Sequence, residues 1–232
     1  MLFRSIEPLL NNLSEGDRAV SLVDHGAGKS YLGFILYDLF FKSQPALKDS
    51  RIYGIETRAE LVQKSTELAQ RLGFPGMEFL HLSVADSVTS DKLPETVDIV
   101  TALHACDTAT DDAIAWCIRS GAQLALIAPC CHHDIQAQMH EIPEPWSLLT
   151  RNGIMKERLG DLLTDALRMQ IMKLRGYRVE AIEFVAGVHT PRNLMIRAIK
   201  TGAAADAAEQ KRYDEMIALW KVKPALTSLL NH

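Results

Sequence analysis

Short apolar runs alternate with longer amphipathic ones along most of the chain. The runs at residues 19–24, 51–56, 78–84, 97–103 and 123–129 are rich in Val, Ile and Leu and read as strands. Helical periodicity fills residues 30–42, 59–72 and 108–119 between them. Such alternation predicts parallel strands joined by right-handed crossovers. A loop containing Pro and Glu (141–146) follows the fifth strand, and a long helix from about Met155 to Arg175 is stopped by Gly176.

The last third of the pattern is different. A strand at 178–186, a loop at 187–193 and a strand at 193–200 follow one another with no helix between, so these two strands are antiparallel. Five parallel strands, a sixth after a helix and a seventh hairpinned onto it resemble the class I S-adenosylmethionine-dependent methyltransferase fold. That resemblance implies an α/β, Rossmann-like, doubly wound sheet of order 3-2-1-4-5-7-6, with strand 7 antiparallel and helices on both faces. A dehydrogenase of the Rossmann type would continue strand–helix–strand instead. The expected organisation is a single domain over 1–232, with a leading helix at 1–18 and a helical tail at 203–232 packed on the outside.

The first turn reads Asp24-His25-Gly26-Ala27-Gly28-Lys29-Ser30. Its ending looks like a phosphate-binding loop, which requires a glycine five residues before the second one. Val23 stands there, inside the first strand. The dinucleotide pattern G-x-G-x-x-G also fails, because its third position is Tyr31. An acid before the first glycine suits a cationic ligand. S-adenosyl-L-methionine carries an amino group and a sulfonium that Asp24 would attract, and a carboxylate welcome near Lys29 and the helix start. Gly26 and Gly28 form the turn. Glu56, ending the second strand, can accept both ribose hydroxyls, or simply cap the next helix. Asp86, beside Ser87, can accept from an adenine amino group, or act as a helix N-cap.

Strand four leads into His104-Ala105-Cys106-Asp107, and strand five into Cys130-Cys131-His132-His133-Asp134. In the implied strand order both segments, and the loop His189-Thr190-Pro191-Arg192-Asn193, open at one edge of the sheet. The stretches "VDHGAGKSYLGF", "GIETRAELV", "VDIVTALHACDTATDDAI", "APCCHHDI" and "HTPRNLMIRA" together resemble a family of methyltransferase-like proteins. That family shares the Cys-Cys-His-His signature with the eukaryotic tRNA 2′-O-methyltransferase group. The resemblance spans roughly residues 19 to 200 and implies a methyltransferase with an RNA acceptor. Ala-Cys-Asp replaces the Asn/Asp-Pro-Pro-Tyr of amino-methylating enzymes, which argues against adenine-N6 chemistry. Relatives often have extra residues before the first helix, so a substrate-binding portion is expected to be absent or supplied elsewhere.

Three accounts of the Cys/His cluster stand side by side. The cysteines can be small buried residues at a sharp turn, with His132 and His133 meeting substrate. Cys106, Cys131 and a histidine can bind zinc, although no C-x-x-C pair is present and adjacent ligands strain one tetrahedron. Or the histidines only cap a helix. We expect no obligatory metal. His133 or His132 is the candidate general base, with Asp134 to orient it. His104 is grouped with the cofactor-binding residues and, with Asp107, borders the acceptor pocket. Arg192, with His189 and Asn193, is placed to hold a substrate phosphate or carboxylate.

Composition narrows the setting. The chain has 232 residues, a net charge of −4 and a pI of about 6.1, so no global positive field gathers nucleic acid. Four cysteines, two adjacent, make a poor disulfide framework and suggest a reduced, cytoplasmic setting. The first residues lack a secretory signal, and no apolar run is long enough to span a membrane. The competing classes are a methyltransferase acting on a small molecule or protein, a non-catalytic cofactor-binding protein of the same fold, and, less favoured, a nicotinamide oxidoreductase.

Overall fold

The computed structural model describes residues 19–47, 49–103, 105–183 and 193–231. Seven strands form one sheet in the order β3-β2-β1-β4-β5-β7-β6. They are β1 (Ser21–His25), β2 (Arg51–Glu56), β3 (Met77–His81), β4 (Ile99–Ala102), β5 (Leu124–Ile127), β6 (Tyr177–Glu183) and β7 (Leu194–Lys200). The first five pair in parallel, whereas β7 runs antiparallel to both β5 and β6. The topology is the one the fold resemblance implied.

Central strands are buried on both sides, which is why they read as unbroken apolar runs. Leu22, Ile52, Ile99, Leu124 and Leu126 face one layer of the core, and Val23, Ile55, Val100, Ala125 and Ile127 face the other. The first layer is closed by α1 (Tyr31–Leu36), the π-helical turn Tyr37–Phe41 that continues it, and α2 (Ala59–Leu72). The second is closed by α4 (Thr108–Ser120), α7 (Gly153–Leu174) and the tail helices α8 (Ala207–Trp220) and α9 (Ala225–Leu230).

Three expectations are corrected. The third strand stops at His81 rather than reaching residue 84, because Ser83 accepts a hydrogen bond from the Asp86 amide and starts the short helix α3 (Val84–Ser87). The helix expected over 30–42 changes to π geometry at Tyr37, which leaves Leu36, Tyr37, Phe40 and Phe41 all buried. The tail is two helices, broken at Pro224, and it is not merely external: Tyr213, Trp220, Val222 and Leu226 are buried in the main core. Two short helices, α5 (His133–Gln138) and α6 (Ser147–Thr150), flank the Pro-containing loop. The leading segment 1–18 lies outside the described residues, as do residues 184–192.

Candidate functional site: a crevice at the carboxyl edge of the sheet

The loop between β1 and α1 is shaped by three consecutive constraints. Gly26 and Gly28 have φ of 66° and 58°, values that cost a glycine nothing. Ser30 takes φ 50° without that freedom, a strained conformation of the sort that gathers at functional sites. The Ala27 amide donates to Ile55 O at 2.9 Å, so the loop is tied to the end of β2. Gly33 supplies the close approach missing from the glycine pattern at Tyr31. A Cβ there would stand 2.5 Å from Ser30 Oγ and against Met77 and Ile52.

Asp24 lies at the base of this loop, 4% exposed. Its Oδ1 accepts from Thr101 Oγ1 at 2.6 Å, and Ser30 Oγ stands 3.5 Å from Oδ2. Burial, partly offset by the two hydroxyls, pushes the Asp24 carboxyl up to about 6. Thr101 was missed from sequence, yet it is the direct neighbour of Asp24 across the β1–β4 pair. A cavity of about 250 Å³ opens beside it, lined by Asp24, Gly26, Lys29, Ser30, Tyr31 and Leu103 among others. The exposed Lys29 ammonium lies 5.9 Å from the Tyr31 ring.

A second cavity of about 520 Å³ shares Gly26 with the first. Its walls include Glu56, Arg58, Leu82, Ser83, Ala105 and Cys106. This size is ordinary for a small-molecule site. Glu56 is buried, and Arg58 grips it through two bonds, Nε to Oε1 at 3.0 Å and Nη2 to Oε2 at 2.9 Å. The Gly28 and Arg58 amides donate to the same carboxylate. The guanidinium, desolvation notwithstanding, holds the Glu56 carboxyl down at about 2. Arg58 was not singled out from sequence; its position two residues after Glu56 was the available signal.

Asp86 is exposed and accepts the Ser83 hydroxyl at 2.6 Å, so its carboxylate serves the turn of α3. Ser87 is buried, donates to Val84 O, and lines a different cavity with Trp116 and Arg119. The crevice wall at this point is made by Ser83, Val84 and Ala85. Neither Asp86 nor Ser87 lines it, because the chain turned helical one residue after Ser83.

At the ends of β4 and β5 the histidines divide. His132 is buried, and its ring is set between two carboxylates of α7: Nε2 lies 2.9 Å from Asp165 Oδ1 and Nδ1 lies 3.2 Å from Asp161 Oδ1. It therefore points away from the crevice, which corrects its selection as a base. Asp165 also meets Arg168, which is bonded to Asp111 and to the Asp107 carbonyl. His133 is exposed at the first position of α5. The Asp134 amide donates to Asp107 Oδ1 at 3.1 Å, and its carboxylate accepts from Gln138. Asp107 itself takes φ 52° and ψ −123°, a second strained backbone at this edge. Asn193 donates to Glu183 Oε1 at the mouth of the β6–β7 pair. His104, His189 and Arg192 lie outside the described residues.

Cys106, Cys130 and Cys131 converge here as thiols, with Cys106 Sγ 3.1 Å from Cys130 Sγ. Burial and the neighbouring thiols push Cys130 up to about 12. His25, in contrast, is fully buried edge-on to Trp116 at 5.1 Å, and desolvation lowers it to about 3. It stays neutral in the core.

A doubly wound sheet with a glycine turn and two buried acids at its carboxyl edge has the layout in which open α/β sheets hold their ligands. The chain belongs to the methyltransferase-domain family, whose model matches residues 1–138. A "Glutathione S-transferase C-terminal domain-containing protein" of Xenopus laevis is 28% identical over 116 residues, covering 50% of this chain and 17% of that protein. This chain thus spans about a sixth of the length of the curated relative it matches. Among solved structures, an rRNA methylase from Streptococcus thermophilus superposes with a TM-score of 0.50 at 15% identity, over 86% of this chain and 98% of that one. A putative caffeoyl-CoA O-methyltransferase from Staphylococcus aureus gives 0.50 at 9% identity, over 84% and 82%. These two likenesses concern the fold. No helix among the described residues is long and apolar enough to cross a membrane.

Proposed function

We propose that this protein is an S-adenosylmethionine-dependent methyltransferase and that the two joined cavities hold the cofactor. The single observation that carries this is the pair of buried carboxylates, Asp24 and Glu56, at the carboxyl ends of β1 and β2 on either side of the glycine turn. Asp24 suits the cationic end of the ligand, and Glu56 suits the ribose hydroxyls. Glu56 already accepts from Gly28, Thr57 and Arg58, which fills its lone pairs. The Arg58 side chain, 61% exposed, must swing out for a ribose to bind.

When bound, the cofactor supplies a methyl group already activated by its sulfonium. The chain's task is then alignment and proton removal. His133 is the base in this proposal: it is exposed at the first position of α5, whereas His132 is held by α7. Asp107, Asn193, His189 and Arg192 would contact the acceptor. RNA is the acceptor we propose, supported by the resemblance of the Cys130–His133 motif to the tRNA 2′-O-methyltransferase group. The proposed setting is cytoplasmic, because four cysteines, two of them adjacent, make a poor disulfide framework.

Calorimetry with S-adenosylmethionine, S-adenosylhomocysteine and NAD tests the proposal. Binding of the first two and not the third is expected. NAD binding alone, or no binding of the three, overturns it. Transfer of labelled methyl groups to unmodified tRNA then tests the acceptor.

A further inference from the structure

Three sulfur atoms meet where β4 and β5 end. Cys106 Sγ lies 3.1 Å from Cys130 Sγ, Cys131 Sγ lies 3.8 Å from Cys130 Sγ, and all three fall within 4.8 Å of one another. The sequence spoke against a metal because two of these residues are adjacent. In an extended strand adjacent side chains project to opposite faces. Beyond Ile127, however, the backbone is irregular up to α5, and it turns both thiols to the same side. The objection from spacing is removed by the fold.

The size of the triangle is also informative. A zinc–sulfur bond of about 2.3 Å in a tetrahedron sets neighbouring sulfurs about 3.8 Å apart. The Cys130–Cys131 separation equals that value, and the Cys106–Cys130 separation falls below it. A disulfide between Cys106 and Cys130 would require about 2.05 Å and would leave Cys131 unused. Among the described residues the cluster offers three sulfur ligands, which suit a soft cation better than magnesium or calcium.

We propose that Cys106, Cys130 and Cys131 form a binding site for a thiophilic d10 cation, with Zn²⁺ as its occupant. Each thiol releases its proton to solvent as its sulfur binds the cation. Cys106 also lines the larger cavity, so the ion stands at the lip of the crevice and braces the β4 and β5 ends against each other. The site is independent of whether methyl transfer occurs.

Titration of the reduced full chain with Co²⁺ tests it. One equivalent should bind with the intense visible bands of tetrahedral cobalt and a thiolate charge-transfer band, and Zn²⁺ should displace it. Cys106→Ser changes an exposed residue and should weaken binding more than about tenfold without altering the circular dichroism. Cys117→Ser, buried beside Tyr177, should leave the spectrum intact. The proposal fails if the reduced protein takes up no cobalt. It fails equally if bound cobalt shows no thiolate band, or if Cys106→Ser and Cys130→Ser both bind as the parent does.

Discussion

Arg58 holds both carboxylate oxygens of Glu56. The pair joins a buried acid to an exposed guanidinium, so only one partner is free to leave. Arg58→Ala removes the competitor for the carboxylate and should tighten S-adenosylmethionine binding about two- to fivefold, the span of an exposed ion pair. Glu56→Ala should weaken it by ~1–3 kcal/mol, since the ribose hydroxyls would lose their acceptor. Calorimetry on both variants checks this. Equal affinities in parent and Glu56→Ala would remove Glu56 from the site.

Asp24 should give binding a pH dependence. Its carboxyl is raised to about 6, so below that pH it is protonated and offers a cation little. Affinity for S-adenosylmethionine should therefore rise with pH through about 6, by up to about tenfold per unit below it. Stability moves the other way. The folded state holds this proton more tightly than the unfolded chain, so the Asp24 contribution to stability declines as pH climbs from 3.8 toward about 6. Asp24→Asn should flatten both profiles. An affinity independent of pH between 5 and 8 in the parent would contradict this.

The two adjacent histidines should separate cleanly on mutation. His133→Ala should slow methyl transfer on the order of 10²–10⁴-fold while leaving cofactor affinity nearly unchanged. His132→Ala removes the group between Asp161 and Asp165 and should instead destabilise the fold by about 3 kcal/mol. Thermal denaturation and single-turnover transfer, measured on both variants, distinguish the two. A stable His132→Ala protein with the larger loss of rate would reverse the assignment.

Nucleoside triphosphate should not be hydrolysed. Val23, where a phosphate loop needs glycine, is paired in β1 with Tyr53 and Val100. Release of phosphate from ATP by purified protein, abolished by Lys29→Ala, would overturn that view of the first turn.

The sequence by itself determined the sheet. Continuous apolar runs marked strands buried on both faces, and the lack of a helical pattern in the sequence between 186 and 193 implied that the last pair is antiparallel, as it is. It also located Asp24 and Glu56, because an acid following an apolar strand is a local pattern. Side-chain direction past the strand ends was decided only by the tertiary structure. There the backbone loses its period, so adjacent residues no longer alternate in a predictable way. Ser83 turned the chain into a helix and drew Asp86 and Ser87 off the crevice wall. Two aspartates a turn apart on α7, far along the chain, claimed His132. Cys106, Cys130 and Cys131 came together because β4 and β5 are neighbours and because the chain after β5 turns both its thiols one way. The Ser83 cap spans only three residues, whereas the last two outcomes depend on contacts between segments distant in sequence, which no local pattern encodes.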